Sequence, residues 1–154
     1  MMNGSEKDSL MKTLDFEFVD VGDDFLTARM PVTPKVHQPD GVLHGGATFA
    51  LAESVGSAAS YLFNKTQNPM VRGIEMSGNH LKGISEGYVY AKAQALHNGR
   101  TTQVWEIKVT NKAGDLISSC KLTTITFPKI NALSLKSVAR QKGCFCSLQT
   151  SKLK

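Results

Sequence analysis

The chain has 154 residues, of which 41% are hydrophobic and 20% charged, with 18 Lys and Arg against 13 Asp and Glu. This length predicts one domain with its own core, and the sequence lacks the strongly apolar stretch of about 18 residues that a membrane span needs. The N-terminal segment MMNGSEKDSLMK has no apolar run typical of a secretory signal, so we expect a cytoplasmic location and no membrane partner.

The excess of basic residues belongs to one end of the chain. Residues 128–154 carry six Lys and Arg and no acid, so residues 1–127 hold 12 basic and 13 acidic residues. A near-neutral domain lacks the basic face that nucleic-acid binding usually requires, so no nucleic-acid partner is expected. We predict one domain over residues 1–127 and a flexible basic tail over residues 128–154.

The first half of the chain predicts a hairpin followed by a helix. Alternating apolar and polar residues indicate strands at 14–21 and 25–32, joined by a turn at Gly22. Three prolines then interrupt regular structure up to residue 40. A helix is predicted over residues 45–63.

The second half predicts four more strands, at 71–82, 87–97, 101–111 and 115–127. Their connections are turn-like, and Asn98-Gly99 is the strongest hairpin signal. Connections this short exclude parallel crossovers, so the order β-β-α-β-β-β-β predicts an α+β fold with one antiparallel sheet and one long helix. Trp105 and Cys120 are expected in its core.

Glu53 is the only charged residue between Gly41 and Asn64, inside a helix that is apolar nearly all round. The sheet must wrap such a helix or a partner must cover it, and a homo-oligomer is the natural solution. A lone carboxylate in these surroundings is costly unless it is paired, although functional sites often contain one. Glu53 could therefore pair with a cation, for which Arg29 and Arg72 are candidates, or act in catalysis.

The start of the helix favours the catalytic interpretation. Gly45 and Gly46 offer unpaired backbone N–H groups at the positive end of the helix dipole, while Glu53 and Ser57 follow on one face. Such donors with a nearby carboxylate suit acyl transfer, in which the carboxylate attacks a carbonyl or activates water. His44 could instead simply cap the helix. No metal-ligand spacing is present, so hydrolysis without metal or cofactor is predicted.

Three segments carry a family resemblance: HQPDGVLHGGATFALAESVGS, IEMSGNHLKGISEG and HNGRTTQVWEIKVTNKAGDLISSCKLTT. With them the chain resembles hotdog-fold acyl-CoA thioesterases, in the branch of the phenylacetic-acid-pathway thioesterases, 1,4-dihydroxy-2-naphthoyl-CoA hydrolases and Arthrobacter-type 4-hydroxybenzoyl-CoA thioesterases. The resemblance spans roughly residues 13–127. It implies a bent antiparallel sheet of five or six strands around a long central helix, and homodimers or homotetramers with active sites at the subunit interface.

The resemblance also implies roles for individual residues. Glu53 corresponds to the catalytic nucleophile or general base, and the Gly45 N–H to the donor that polarises the thioester carbonyl. Gln38 and His44 would orient the thioester or water, and Ser57 would help to position the acyl group or water. Contacts with CoA are implied for His80, Lys82, Asn98, Gly99, Arg100 and Thr101. Many relatives have Ser where Arg100 stands, so hydrogen bonding to the nucleotide is expected to differ.

We therefore predict a thioesterase that acts on a small, aromatic acyl-CoA. A hotdog acyl-thioester dehydratase is one alternative, and it would hydrate or dehydrate the acyl chain without releasing thiol. A non-catalytic acyl-CoA-binding domain is the other, although a binding protein gains nothing from an isolated carboxylate beside a thioester.

Overall fold

A computed structural model describes residues 8–66 and 69–128. Within these residues the chain forms helices α1 and α2, a short 3-10 turn at Pro34–Val36 and six strands. The helices are Leu10–Thr13 and Gly45–Phe63, and strands β1 to β6 are Glu17–Val21, Phe25–Pro31, Pro69–His80, Tyr88–Asn98, Thr102–Asn111 and Leu116–Pro128. No helix in the described part of the chain is long and apolar enough to cross a membrane.

The six described strands form one antiparallel sheet in the order β1-β2-β4-β5-β6-β3. Four of the five strand pairings contain a register shift, which is the mark of a β-bulge or a local irregularity. Bulges bend strands and increase their twist, so the sheet curves. Strand β3 pairs with β6 from Pro69 to His80, and its other edge is unpaired within the described chain.

Helix α2 packs one side against this sheet. The helix residues buried there are Thr48, Leu51, Ala52, Val55, Gly56, Ala59 and Ser60. A Cβ atom on Gly56 would lie 2.6 Å from Leu122 Cδ2, so a larger residue would push the helix away from β6. Small residues at this contact let the helix and the sheet share one closely packed core.

A buried polar network lies beneath the C-terminal half of α2. Trp105 Nε1 donates to Ser60 Oγ at 2.7 Å, and Ser60 Oγ lies 2.7 Å from Thr124 Oγ1. Gln103 Oε1 accepts hydrogen bonds from the hydroxyls of Thr124 and Thr126. Each side chain of this network has a partner, so the network ties the helix to β5 and β6 without an unsatisfied polar group of its own.

The structure confirms the predicted order of elements and the α+β class. The first strand begins later than predicted, because Leu14 caps α1 and Asp15 adopts a left-handed conformation with φ of 54°. Trp105 and Cys120 are buried, as expected, and burial raises the pKa of the Cys120 thiol to about 11. The predicted tail lies outside the described residues, apart from Pro128.

The sheet covers only one side of α2. The other side is lined by small and polar residues between aromatic ones, and it is open in the single chain; this open face consists of Gly46, Phe49, Ala50, Glu53, Ser54, Ser57, Ala58 and Tyr61. The sheet therefore does not wrap the helix completely. Leu10 and Met11 of α1 line the same groove, and the covering homo-oligomer stays a prediction.

Candidate active site

The start of α2 presents one free backbone donor. His44 is the N-cap, and its Nδ1 accepts a hydrogen bond of 2.8 Å from the Gly46 N–H. The Gly45 N–H has no acceptor among the described residues. Of the two glycine donors that the sequence suggested, Gly45 is thus the one left at the positive end of the helix dipole. The capping interpretation of His44 holds in the structure, while its Nε2 makes no hydrogen bond among the described residues.

A pocket of about 260 Å³ opens beside this donor, and it gathers three of the predicted site residues, Gln38, His80 and Lys82. Gln38 is held in a tight turn, because its N–H donates to Val42 O and its carbonyl accepts from Gly41 N–H. His80 lies against the helix start, since a Cβ on Gly45 would come within 2.5 Å of His80 Nε2. Glycine is therefore needed at position 45 to admit the imidazole beside the free N–H.

Lys82 lies at the mouth of this pocket and already has an anionic partner. Its Nζ lies 2.8 Å from Asp115 Oδ2, which also accepts from Asn111 Nδ2. The hydrogen bond from Lys82 is the largest cause of the lowered pKa of Asp115, followed by the one from Asn111. The pair is solvent-exposed, so an anionic ligand could compete with Asp115 for Lys82 at small cost.

Glu53 lies on the open face of α2, in a groove of about 640 Å³ that also contains Phe49 and Ser57. The predicted sharing of one helix face is thus confirmed. Glu53 is exposed in the single chain rather than buried. One carboxylate oxygen packs towards β3, where a Cβ on Gly73 would lie 3.0 Å from Glu53 Oε1.

The cation partners suggested for Glu53 are wrong. Arg29 pairs with Glu17 at 2.7 Å, and Arg72 donates to the carbonyl of Val71. Among the described residues Glu53 forms no ion pair. The register that places Arg29 opposite Glu17 could not be read from the alternation of residues alone. A carboxylate without a partner remains available for chemistry.

Gly45 and Glu53 do not meet within one chain. Eight residues of helix separate them, which corresponds to about 12 Å along the axis. Gly45 lines the pocket with His80, whereas Glu53 lines the groove on the open face. A single substrate carbonyl held at the Gly45 N–H is therefore beyond the reach of Glu53 from the same helix.

The remaining predicted CoA contacts lie at the other end of α2. Asn98, Gly99, Arg100 and Thr101 line a cavity of about 580 Å³ together with Lys65 and other residues. Asn98 Nδ2 donates to the carbonyl of Phe63, so the turn is fixed to the last residue of the helix. A 19-residue helix is about 28 Å long, and this length separates the turn from His80 and Lys82.

Sequence reasoning missed three residues of the site. Gly73 makes room for the Glu53 carboxylate, Ser118 lies 2.9 Å from His80 Nδ1, and Asp115 holds Lys82. All three contacts join residues that are far apart in sequence. They depend on how β3 and the segment after it lie against α2 and β6, and no local pattern reveals that placement. In residues 8–66 and 69–128, no three His, Cys, Asp or Glu side chains form a group that could hold a metal ion.

The chain is similar to known thioesterases and hydrolases. Residues 40–118 match the thioesterase superfamily. A Pseudomonas aeruginosa protein that carries an esterase name is 44% identical over 127 residues, which cover 82% of this chain and 88% of that protein. The 1,4-dihydroxy-2-naphthoyl-CoA hydrolase of Escherichia coli K12 is 41% identical over 123 residues, covering 80% and 90%. The crystal structure of a Haemophilus influenzae thioesterase has a TM-score of 0.77 at 35% identity, covering 80% and 86%.

Two variants of a Staphylococcus aureus thioesterase also have similar solved structures. In one variant a glutamine is replaced by alanine, and in the other a glutamate is replaced by alanine; the two positions are 15 residues apart in that chain. Gln38 and Glu53 have the same separation here. The glutamate variant has a TM-score of 0.74 at 37% identity, and the match covers 78% of this chain and 99% of that one.

Proposed function

Since this chain belongs to the thioesterase superfamily and is a thioester hydrolase with the hotdog fold, we propose that it cleaves a small, aromatic acyl-CoA to a free acid and CoA. The observation that carries this proposal is that α2 offers two unused groups. These are the free N–H of Gly45 at its start and the carboxylate of Glu53, which forms no ion pair among the described residues, on its open face. The aromatic substrate class is supported by the relative from Escherichia coli, whose name specifies a naphthoyl-CoA.

Gly45 supplies the electrostatic part of the reaction. Its N–H donates to the thioester oxygen, where negative charge develops as the carbonyl carbon becomes tetrahedral. The helix dipole reinforces this donor, and the loss of one such donor typically raises the barrier by about 3 kcal/mol. Gln38, which lines the pocket, and His44, the N-cap of α2, orient the thioester or the attacking water.

Glu53 supplies the nucleophilic part. It attacks the carbonyl carbon, or it removes a proton from a water that does so, and in both cases the CoA thiolate leaves. Ser57, one turn further along the same groove, positions the acyl group or the water. A single turnover in ¹⁸O water separates the two routes. If Glu53 attacks directly, it forms a mixed anhydride, and labelled water that opens this anhydride at the Glu53 carbonyl leaves ¹⁸O in Glu53. If Glu53 activates a water instead, all of the ¹⁸O appears in the product acid.

The complete site needs two copies of the chain. The donor at Gly45 and the carboxylate at Glu53 are too far apart in one copy, and the open face of α2 offers small residues against which a second helix could pack. Strand β3 is 12 residues long and has a free edge within the described chain, which a second β3 could pair with. We therefore propose a homodimer, alone or within a homotetramer, in which Glu53 of one copy serves Gly45 of the other.

The same assembly brings the CoA contacts together. In one copy the turn at Asn98–Thr101 lies a helix length away from His80 and Lys82. Two α2 helices packed antiparallel would bring the end of one close to the start of the other. Arg100 is exposed and forms no ion pair among the described residues, so it is available for the phosphates of CoA.

The test compares Glu53→Gln with Glu106→Gln in a thiol-release assay over aromatic and aliphatic acyl-CoAs. Glu53→Gln keeps the size of the side chain and removes its charge, so we expect turnover to fall about 10²–10⁴-fold with an unchanged melting temperature. Glu106 lies on β5, pairs with the exposed Lys108 and lines none of the three cavities described above, so its variant should keep full activity. Full activity in Glu53→Gln would refute the proposed role, and hydration of an enoyl-CoA without thiol release would favour the dehydratase.

A further inference from the structure

The ring of His80 is held from two sides at the end of β3. Its Nδ1 lies 2.9 Å from Ser118 Oγ, and its centroid lies 5.0 Å from that of Phe49. Ser118 is fully buried, and among the described residues its hydroxyl has no hydrogen-bond partner other than His80. The two residues are also direct partners in the β3–β6 ladder. The bond is therefore built into the sheet rather than made by a mobile surface residue.

Held in this way, His80 turns its other nitrogen towards the start of α2. A Cβ on Gly45 would lie only 2.5 Å from Nε2, which places this nitrogen beside the residue that offers the free N–H. The hydrogen bond between Nδ1 and Ser118 Oγ therefore fixes which way the ring faces, and with it the place of Nε2 in the pocket.

We propose that Ser118 is a positioning residue for the thioester site. Its hydroxyl holds the His80 ring in one orientation, with Nε2 beside the place where the substrate carbonyl meets the Gly45 N–H. Because Ser118 is buried, it acts through His80 and not by contact with the substrate. The inference rests on the proposed function for its catalytic consequence, but the state of the ring is a property of the free protein.

A double-mutant cycle measures the catalytic consequence with benzoyl-CoA as the substrate. Ser118→Ala should lower kcat/KM about tenfold, in line with the loss of one hydrogen bond. In the His80→Ala background the same change should have less than about a twofold effect, because its partner is already gone. Ser118→Thr restores the hydroxyl and should recover most of the activity. An equal loss in both backgrounds would show a packing role and overturn the proposal.

The matched control is Ser119→Ala. Ser119 is the next residue on β6 and is half-buried, and its side chain forms no hydrogen bond among the described residues. This variant should keep the activity of the natural chain. If Ser118→Ala does not fold, Ser118→Cys takes its place in the cycle, since it keeps the volume and provides only a weak donor.

Nitrogen-15 NMR of the His80 ring tests the inference without any turnover. In the natural chain the Nδ1 shift should carry the effect of the hydrogen bond with Ser118, and this shift should move in Ser118→Ala but not in the Ser119→Ala control. Unchanged shifts in the variant would refute the inference even if acyl-CoA hydrolysis is found. Altered shifts in a protein that hydrolyses no acyl-CoA would instead refute the proposed function and leave the role of Ser118 intact.

Discussion

The two faces of α2 are built from similar small residues but serve opposite purposes. On the sheet side, Leu51, Ala52, Val55 and Ala59 are fully buried, and the absence of a side chain at Gly56 lets β6 approach. On the open face, small residues surround Glu53 and leave a groove. Small residues thus create close packing on one side of a helix and empty space on the other. Which of the two they create depends on the neighbouring elements, not on their own chemistry.

The largest effect on stability should come from the sheet side. Leu51→Ala removes a fully buried side chain and should lower the free energy of unfolding by about 3 kcal/mol. Leu62→Ala makes the same change in the same helix, at a residue that is 45% exposed, and should cost well under half as much. Urea unfolding of both variants measures the difference. Equal losses would mean that the exposed side of the helix at Leu62 is covered as tightly as the sheet side.

A smaller effect, on activity alone, is expected where the open face meets β3. Gly73→Ala places a Cβ 3.0 Å from Glu53 Oε1, so the carboxylate must move. We expect roughly a tenfold loss of thioesterase turnover, since small displacements of a reacting group are costly. The melting temperature should change little, because the end of a flexible side chain gives way.

The control for this prediction is the same change in the Glu53→Gln background. There Gly73→Ala should cause no further loss, because the group that it displaces no longer acts. A loss of similar size in both backgrounds would mean that Gly73 serves the strand and not the carboxylate.

The smallest effect is expected outside both faces, at the exposed pair of Lys82 and Asp115. Lys82→Ala should raise the pKa of Asp115 towards its ordinary value, because Lys82 is the largest cause of its depression. A lowered carboxyl pKa stabilises the fold above the unfolded pKa, and this contribution is lost as the pH falls through the folded pKa. The variant should therefore be slightly less stable than the natural chain at pH 7, and this difference should vanish in acid, below the folded pKa of Asp115. Carbon-13 NMR of Asp115 follows the pKa itself. An unchanged Asp115 pKa would show that Asn111 alone sets it.

Much of this molecule was predictable because its elements are periodic and separated by clear turns. Strict alternation around Trp105 identified β5, and Asn98-Gly99 located the tight turn before it. The helix range was predicted to the residue, since Gly45 follows a capping residue and Asn64 ends the apolar run. These features are local in sequence, and local features can be read from one chain.

The parts that could not be predicted depend on contacts between distant residues. Ser118 meets His80 only because of the register between β3 and β6, and nothing in either strand specifies that register by itself. The exposure of Glu53 was likewise hidden, because the apolar sequence around it is equally suited to burial by the sheet or by a second chain. Resemblance to a family supplied the roles of Gln38 and Asn98, which no local pattern indicated.

Trp105 gives the molecule a built-in optical reporter. It is the only tryptophan of the chain, it is fully buried, and its indole N–H is bound to Ser60 of α2 while its ring lies 6.0 Å from that of Phe63. Its emission therefore comes from the contact between helix and sheet and from no other place. Fluorescence in this protein reports on the docking of α2 itself, the event that creates both faces of the helix at once.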